Sequence, residues 1–194
     1  CIPSKAMIAT GGTMWTTRRA TKMGLASMAA ELDFDALRRR ITTIEADLEK
    51  SIVDLLHDQN VRVIRGTGRL TGPHTVVADT ADGPVTVEAD VVLLSTGSRP
   101  RIPDWAPIDH HRVLTTRDAY PPDELPSHLI VVGSGVTGVE FVHMFSSVGS
   151  KVALVVSREQ VLPQKGPEAA AVVESEFLSR GVRLLKGARA ERIE

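Results

Sequence analysis

The stretch Leu129-Ile130-Val131-Val132-Gly133-Ser134-Gly135-Val136-Thr137-Gly138 decides the fold. Four apolar residues, three of them β-branched, make a short buried strand, and the glycines follow it without a gap. Gly133, Gly135 and Gly138 match G-x-G-x-x-G, which is weak alone and specific when a strand leads in and a helix leads out. That helix is predicted over 136–148, with Gly149 just past its end. A strand at 152–156, a helix at 168–180 closed by Gly181, and a strand at 182–185 complete a β-α-β-α-β run. Such a run opens a doubly wound α/β sheet. The first glycine makes the tight bend, the second lets the backbone approach a pyrophosphate, and the third lets the helix lie close to the sheet. The phosphates would rest on free amides at the positive helix end, so 133–139 are the expected nucleotide contacts: Gly133, Ser134, Gly135, Val136, Thr137, Gly138 and Val139.

The second strand runs out as Leu154-Val155-Val156-Ser157-Arg158. A carboxylate there would hold the ribose 2′-hydroxyl of NAD, yet no acid comes before Glu159. Arg158, with Ser157 beside it, suits a 2′-phosphate, while a glycine at 138 is more usual for NAD. The expectation is NAD or NADP with a slight lean to NADP; a solvated surface charge at Arg158 stays open.

Upstream, a helix is expected from Cys1 to about residue 22, with Pro3 in its first turn where a missing N–H costs nothing. Gly11 and Gly12 should loosen or interrupt it. A second helix over 35–58 carries Leu37, Ile41, Ile44, Leu48, Ile52 and Leu55 in one stripe, an amphipathic cover helix. Short strands follow: 61–64 leading into a Gly66-Thr67-Gly68 turn, then 75–78 and 85–87 flanking the hairpin signal Asp82-Gly83. The run 91–94 is wholly apolar and reads as a buried parallel strand ending in Ser95-Thr96-Gly97-Ser98-Arg99-Pro100. Residues 99–127 are proline-rich and aperiodic, the best place for an interdomain connection.

The bulk properties exclude several classes. In 194 residues with 42% hydrophobic content and a net charge of −1 there is no basic stripe for nucleic acid. No apolar run approaches the roughly 20 residues of a membrane span. One cysteine forbids an internal disulfide framework, no metal site is expected, and a cytoplasmic protein is the default. The chain begins at Cys1 rather than Met and stops just after a strand, from which an internal fragment is expected.

Cys1 stands at a helix start with Lys5 close by, and both the helix end and the cation favour thiolate. On physics alone a lone cysteine is more often an inert buried side chain. The words Cys1-Ile2-Pro3-Ser4-Lys5 resemble the second half of the redox-active motif of the pyridine nucleotide-disulfide oxidoreductases, which include dihydrolipoamide dehydrogenases, mercuric reductases, quinone-reducing flavoproteins and soluble transhydrogenases. The resemblance extends in order through Gly66-Thr67-Gly68, Thr96-Gly97-Ser98-Arg99-Pro100 and 133–140.

The resemblance implies a Rossmann-like two-domain FAD/NAD(P)-binding α/β flavoprotein fold, incomplete at both ends. Residues 1–118 would be part of the FAD domain and 119–194 the first half of the NAD(P) domain. Catalytic roles fall on Cys1, as the flavin-proximal thiolate, and on Lys5 paired with Glu140 as a buried ion pair near flavin N5. Gly68, Thr96, Gly97 and Ser98 would line FAD. Hydride would pass from NAD(P)H to flavin and on to a disulfide or quinone, in a homodimer whose His–Glu acid-base pair lies outside this chain. Other expectations are a transhydrogenase, a non-catalytic nucleotide-binding module, or an inactive truncated piece. His143, one helical turn beyond Glu140, is expected only to pack.

Overall fold

The computed structural model of the chain describes residues 2–193. Its residues divide into two compact units, Cys1–Ile44 with Pro100–Glu194, and Glu45–Arg99. The elements run in order as α1 (Ile2–Arg18), α2 (Phe34–Asp58), β1 (Thr67–Leu70), β2 (Thr75–Thr80), β3 (Gly83–Glu88), β4 (His128–Val132), α3 (Val136–Val148), β5 (Lys151–Val156), α4 (Pro167–Ser179) and β6 (Arg183–Lys186). A short 3₁₀ turn, Ala20–Met23, follows α1.

In the first unit β4, β5 and β6 form a parallel sheet in that order. Val152, Leu154 and Val156 alternate inward from β5 and meet Phe141, Val142, Met144 and Phe145 of α3 and Phe177 of α4. Parallel strands need crossovers, and α3 and α4 provide them. Gly149 takes φ +118 where α3 ends and Gly181 φ +80 just past α4, values that suit residues without a Cβ. Met7 of α1 and Leu37 and Ile41 of α2 join the same core.

The prediction that Gly11 and Gly12 would loosen α1 is corrected: the helix is continuous through both. The reason lies in packing. A Cβ on Gly11 would stand 3.0 Å from Ser147 Cβ, so this glycine lets α1 and α3 approach. Nothing lies within 4 Å of a Cβ on Gly12.

In the second unit β1, β2 and β3 form an antiparallel sheet. The hairpin expected at Asp82-Gly83 forms, but the Thr80↔Gly83 pairing puts its two-residue turn one position earlier, at Ala81-Asp82, with Gly83 opening β3 at φ +110. Three expectations fail here. Residues 61–64 are not a strand, because Val61 N–H turns back to the Leu56 carbonyl (2.8 Å) and no ladder partner lies alongside among the described residues. Thr67 and Gly68 belong to β1 rather than to a turn, and the close approach is at Gly66, where a Cβ would meet the Asp79 carbonyl oxygen at 2.4 Å. Residues 91–94 form no strand either, and Val91 and Leu93 are 84% and 87% exposed. An apolar run becomes a buried strand only when neighbours complete its hydrogen bonds on both sides. Similarly, α2 buries Leu37 and Ile41 but leaves Leu48, Ile52 and Leu55 exposed, so it covers apolar surface over its first turns only.

Candidate cofactor site

Gly133 follows β4 directly at φ +114, and its N–H donates to the Val155 carbonyl of β5 (3.1 Å), which pins the bend to the sheet. Gly138, one turn into α3, stands so close to that bend that a Cβ would lie 1.9 Å from the Gly133 oxygen. Only hydrogen fits there. Gly135 caps α3 with extended backbone, φ −70 and ψ −176, and a Cβ on it would meet nothing within 4 Å. That open space is what an approaching ligand backbone requires.

The end of α3 is also electrically uncommitted. No side chain caps it and its first turn holds no acidic residue, so neither offsets its partial positive charge. Ser134 is buried, and its carbonyl accepts from Leu162 N–H (2.7 Å), bracing the turn from the segment before α4. Val136 and Thr137 are exposed at the mouth, and Val139 points inward as a half-buried residue. Ser157 and Arg158 are exposed just beyond β5, and the Arg158 carbonyl accepts from Gly187 N–H (3.2 Å). These residues fit a dinucleotide: a cradle without side chains, a positive helix end, and an arginine at the next strand's end.

A second feature joins this turn from α1. Lys5 Nζ donates to Glu140 Oε1, linking α1 to α3 two residues beyond Gly138. Among the described residues the Lys5 side chain is 59% exposed and that of Glu140 24%. Tyr120 feels the same carboxylate. Its ring stacks on Phe141 with centroids 4.5 Å apart, and burial, then the Glu140 charge, pushes its hydroxyl up to about 12.

Gly68, Thr96, Gly97 and Ser98 lie in the second unit, Gly68 within β1 and the other three in an exposed irregular segment with Gly97 at φ +71. Cys1 is outside the described residues. No group of three or more His, Cys, Asp or Glu among the described residues could hold a metal, and none of their helices is long and apolar enough to cross a membrane.

Sequence reasoning missed a cluster around Arg180 that engages His143 and Ser147, on α3 beyond Glu140. The Arg180 guanidinium lies over the Trp15 ring (4.3 Å), donates from Nε and Nη2 to Glu176 Oε1 (2.9 and 2.8 Å), and donates from Nη1 to Ser147 Oγ (2.9 Å) and His143 Nδ1 (3.1 Å). An arginine only donates, so Nδ1 of His143 accepts and its proton sits on Nε2. Burial, with the Arg180 charge beside it, pushes the imidazole below its usual range. Glu176 is a local i, i+4 partner, but Trp15, His143 and Ser147 come from helices remote in sequence, and no local pattern announces them. A cleft of about 360 Å³ opens beside this cluster, lined by Ile8, Val139, Glu140, His143, Val172 and Phe177 among others.

The sheet and its glycine turn define a dinucleotide-binding α/β protein. Comparison carries this to the family: the profile of the pyridine nucleotide-disulphide oxidoreductases matches residues 1–194, and the chain belongs to that family. It is 42% identical to an NAD(P)H dehydrogenase (quinone) of Mycobacterium tuberculosis over 98% of this chain and 40% of that protein. It is 31% identical to a dihydrolipoyl dehydrogenase of Zymomonas mobilis, over 95% of this chain and 40% of the relative. The crystal structure of LpdA from M. tuberculosis superposes with a TM-score of 0.87 at 42% identity, covering 99% of this chain and 42% of that one. The chain therefore spans about two fifths of the length of these relatives. Its fold is the mixed α/β fold of the flavoprotein disulfide reductases.

Proposed function

We propose that this chain forms part of an FAD-dependent oxidoreductase that takes hydride from NAD(P)H and passes the electrons to a small acceptor, a quinone ahead of a disulfide. The observation that carries the reading is the Lys5–Glu140 pair, which ties α1, beginning Ile2-Pro3-Ser4-Lys5, to the helix of the nucleotide turn. FAD, when bound, would supply the two-electron acceptor. The chain's own residues supply position and charge. The ammonium of Lys5 stabilises negative charge developing beside it, and Glu140 aims that ammonium. Gly133, Ser134, Gly135, Val136, Thr137, Gly138 and Val139 hold the pyrophosphate of the nicotinamide nucleotide on the α3 amides. Ser157 and Arg158 receive a 2′-phosphate, which favours NADP slightly. Gly68, Thr96, Gly97 and Ser98 line the flavin nucleotide, and Cys1 provides a thiolate at its ring.

In this reading residues 1–118 belong to the FAD domain and 119–194 to the NAD(P) domain of a cytoplasmic homodimer. The quinone is placed first because the relative named for it is 42% identical, against 31% for the dihydrolipoyl dehydrogenase. The test is NAD(P)H oxidation by the full-length protein, with a benzoquinone and with lipoamide as acceptors. The reading predicts flavin in the purified protein and faster turnover with the quinone. Faster turnover with lipoamide would reverse the order of acceptors, and nucleotide binding without flavin would leave only a binding module.

A further inference from the structure

Lys5 of α1 donates to Glu140 of α3, so its place depends on where α1 lies on α3. Besides the core packing of Met7, several contacts set the latter. Gly11 lets the helices close to the Ser147 side chain, which governs their separation. Sliding and rotation are governed further along, where Trp15 of α1 lies under the Arg180 guanidinium. That guanidinium is held in turn by Ser147 and His143 of α3 and by Glu176 of α4. The Arg180 side chain is only 7% exposed, and its planar fork satisfies all these partners at once, which a lysine could not do. Arg18 adds a bond from Nη1 to the Ser147 carbonyl (3.1 Å). Because α1 is unbroken from Ile2 to Arg18, a displacement at Trp15 is carried to Lys5, roughly 15 Å along the axis, with no hinge to absorb it.

We propose that Arg180 is a positioning residue for the redox site: by clamping Trp15 of α1 to Ser147 and His143 of α3, it sets the register that delivers Lys5 to Glu140. The inference rests on the flavin-site reading above. It goes beyond that reading by giving Arg180, the residue just past α4, a measurable influence on the flavin through α1.

The test is a double-mutant cycle on the flavin-loaded full-length protein, with Arg180→Met, Lys5→Met and both together. The readouts are the flavin midpoint potential and the rate of flavin bleaching at saturating NAD(P)H. Arg180→Met is expected to slow bleaching about tenfold, as a sub-ångström misplacement can. It should leave the nucleotide dissociation constant unchanged and shift the potential in the same direction as Lys5→Met. In the Lys5→Met background it should add nothing further to either readout. A potential that stays at the wild-type value in Arg180→Met, or effects that add fully to those of Lys5→Met, would overturn the inference while leaving the flavin site standing. A wild-type potential in Lys5→Met would bring down the flavin-site reading and this inference with it. If Arg180→Met fails to fold, Trp15→Leu keeps the apolar bulk, removes the aromatic face, and enters the same cycle with the same expectations.

Discussion

Gly135 and Gly138 stand three residues apart in one turn, and the structure asks opposite things of them. A Cβ at 138 collides with the Gly133 carbonyl, which is backbone and cannot move aside cheaply. Gly138→Ala should therefore cost on the order of 3 kcal/mol or more of stability, read by urea unfolding, and abolish nucleotide binding as well. A Cβ at 135 meets nothing and the backbone there is at φ −70. Gly135→Ala should fold with stability within about 0.5 kcal/mol of wild type and yet bind nucleotide at least tenfold more weakly by calorimetric titration, because the methyl occupies the ligand's approach. Tyr120 offers a second test at this scale, since it is the only tyrosine in the chain. Its phenolate absorbance should rise around pH 12 rather than 10, and somewhat lower in Glu140→Gln, where the smaller of the two causes is removed. The folded hydroxyl is raised above its unfolded value, so its contribution to stability is full below pH 10 and is lost as pH climbs from 10 toward 12.

Among the elements, α1 shows what periodicity cannot reveal. Two adjacent glycines looked like a weak point, but one is required by α3 and the other is free. Gly12→Ala should stabilise the protein by about 0.5–1 kcal/mol, since it removes only backbone entropy from the unfolded chain. Gly11→Val should lower the melting temperature, because its branched side chain must push α1 off Ser147. The connection between β3 and β4 has no regular element and is held instead by two aspartates. Asp109 accepts from the N–H groups of His111, Arg112 and Val113, and Asp118 from the Thr115 hydroxyl and N–H and from His110. These bonds, more than any charge, hold both carboxyls down at about 2 against a usual 3.8. Their folded values are depressed, so the stability they lend is full above pH 3.8 and is lost as pH falls toward 2. Hydrogen exchange at residues 111–113 should accelerate over that window, and already at pH 7 in Asp109→Ala.

For the whole molecule, the β-α-β-α-β half was legible because its signals are local: β-branched runs, helical spacing, and glycines at the bends. Residues 61–64 and 91–94 misled because strand propensity says nothing about whether a neighbour exists to complete the ladder. The contact between Lys5 and Glu140 was reached through a resemblance, not through spacing. Arg180's role was invisible because Trp15, His143 and Ser147 sit on two other helices whose packing no short window encodes. The exposed apolar run at 91–94 and the bare half of the α2 stripe lead to a further expectation. Expressed as residues 1–194, the chain should carry little bound flavin and should bind a hydrophobic dye; a stoichiometrically yellow preparation would contradict this.

The most direct measurement is anaerobic mixing of the flavin-loaded full-length protein with NADPH or NADH, followed at the flavin absorbance band. The account predicts bleaching within one turnover, slowed at least tenfold in Lys5→Met and in Glu140→Gln while flavin remains bound. Bleaching at the wild-type rate in both variants, or a protein that binds nucleotide with no flavin to bleach, would contradict it.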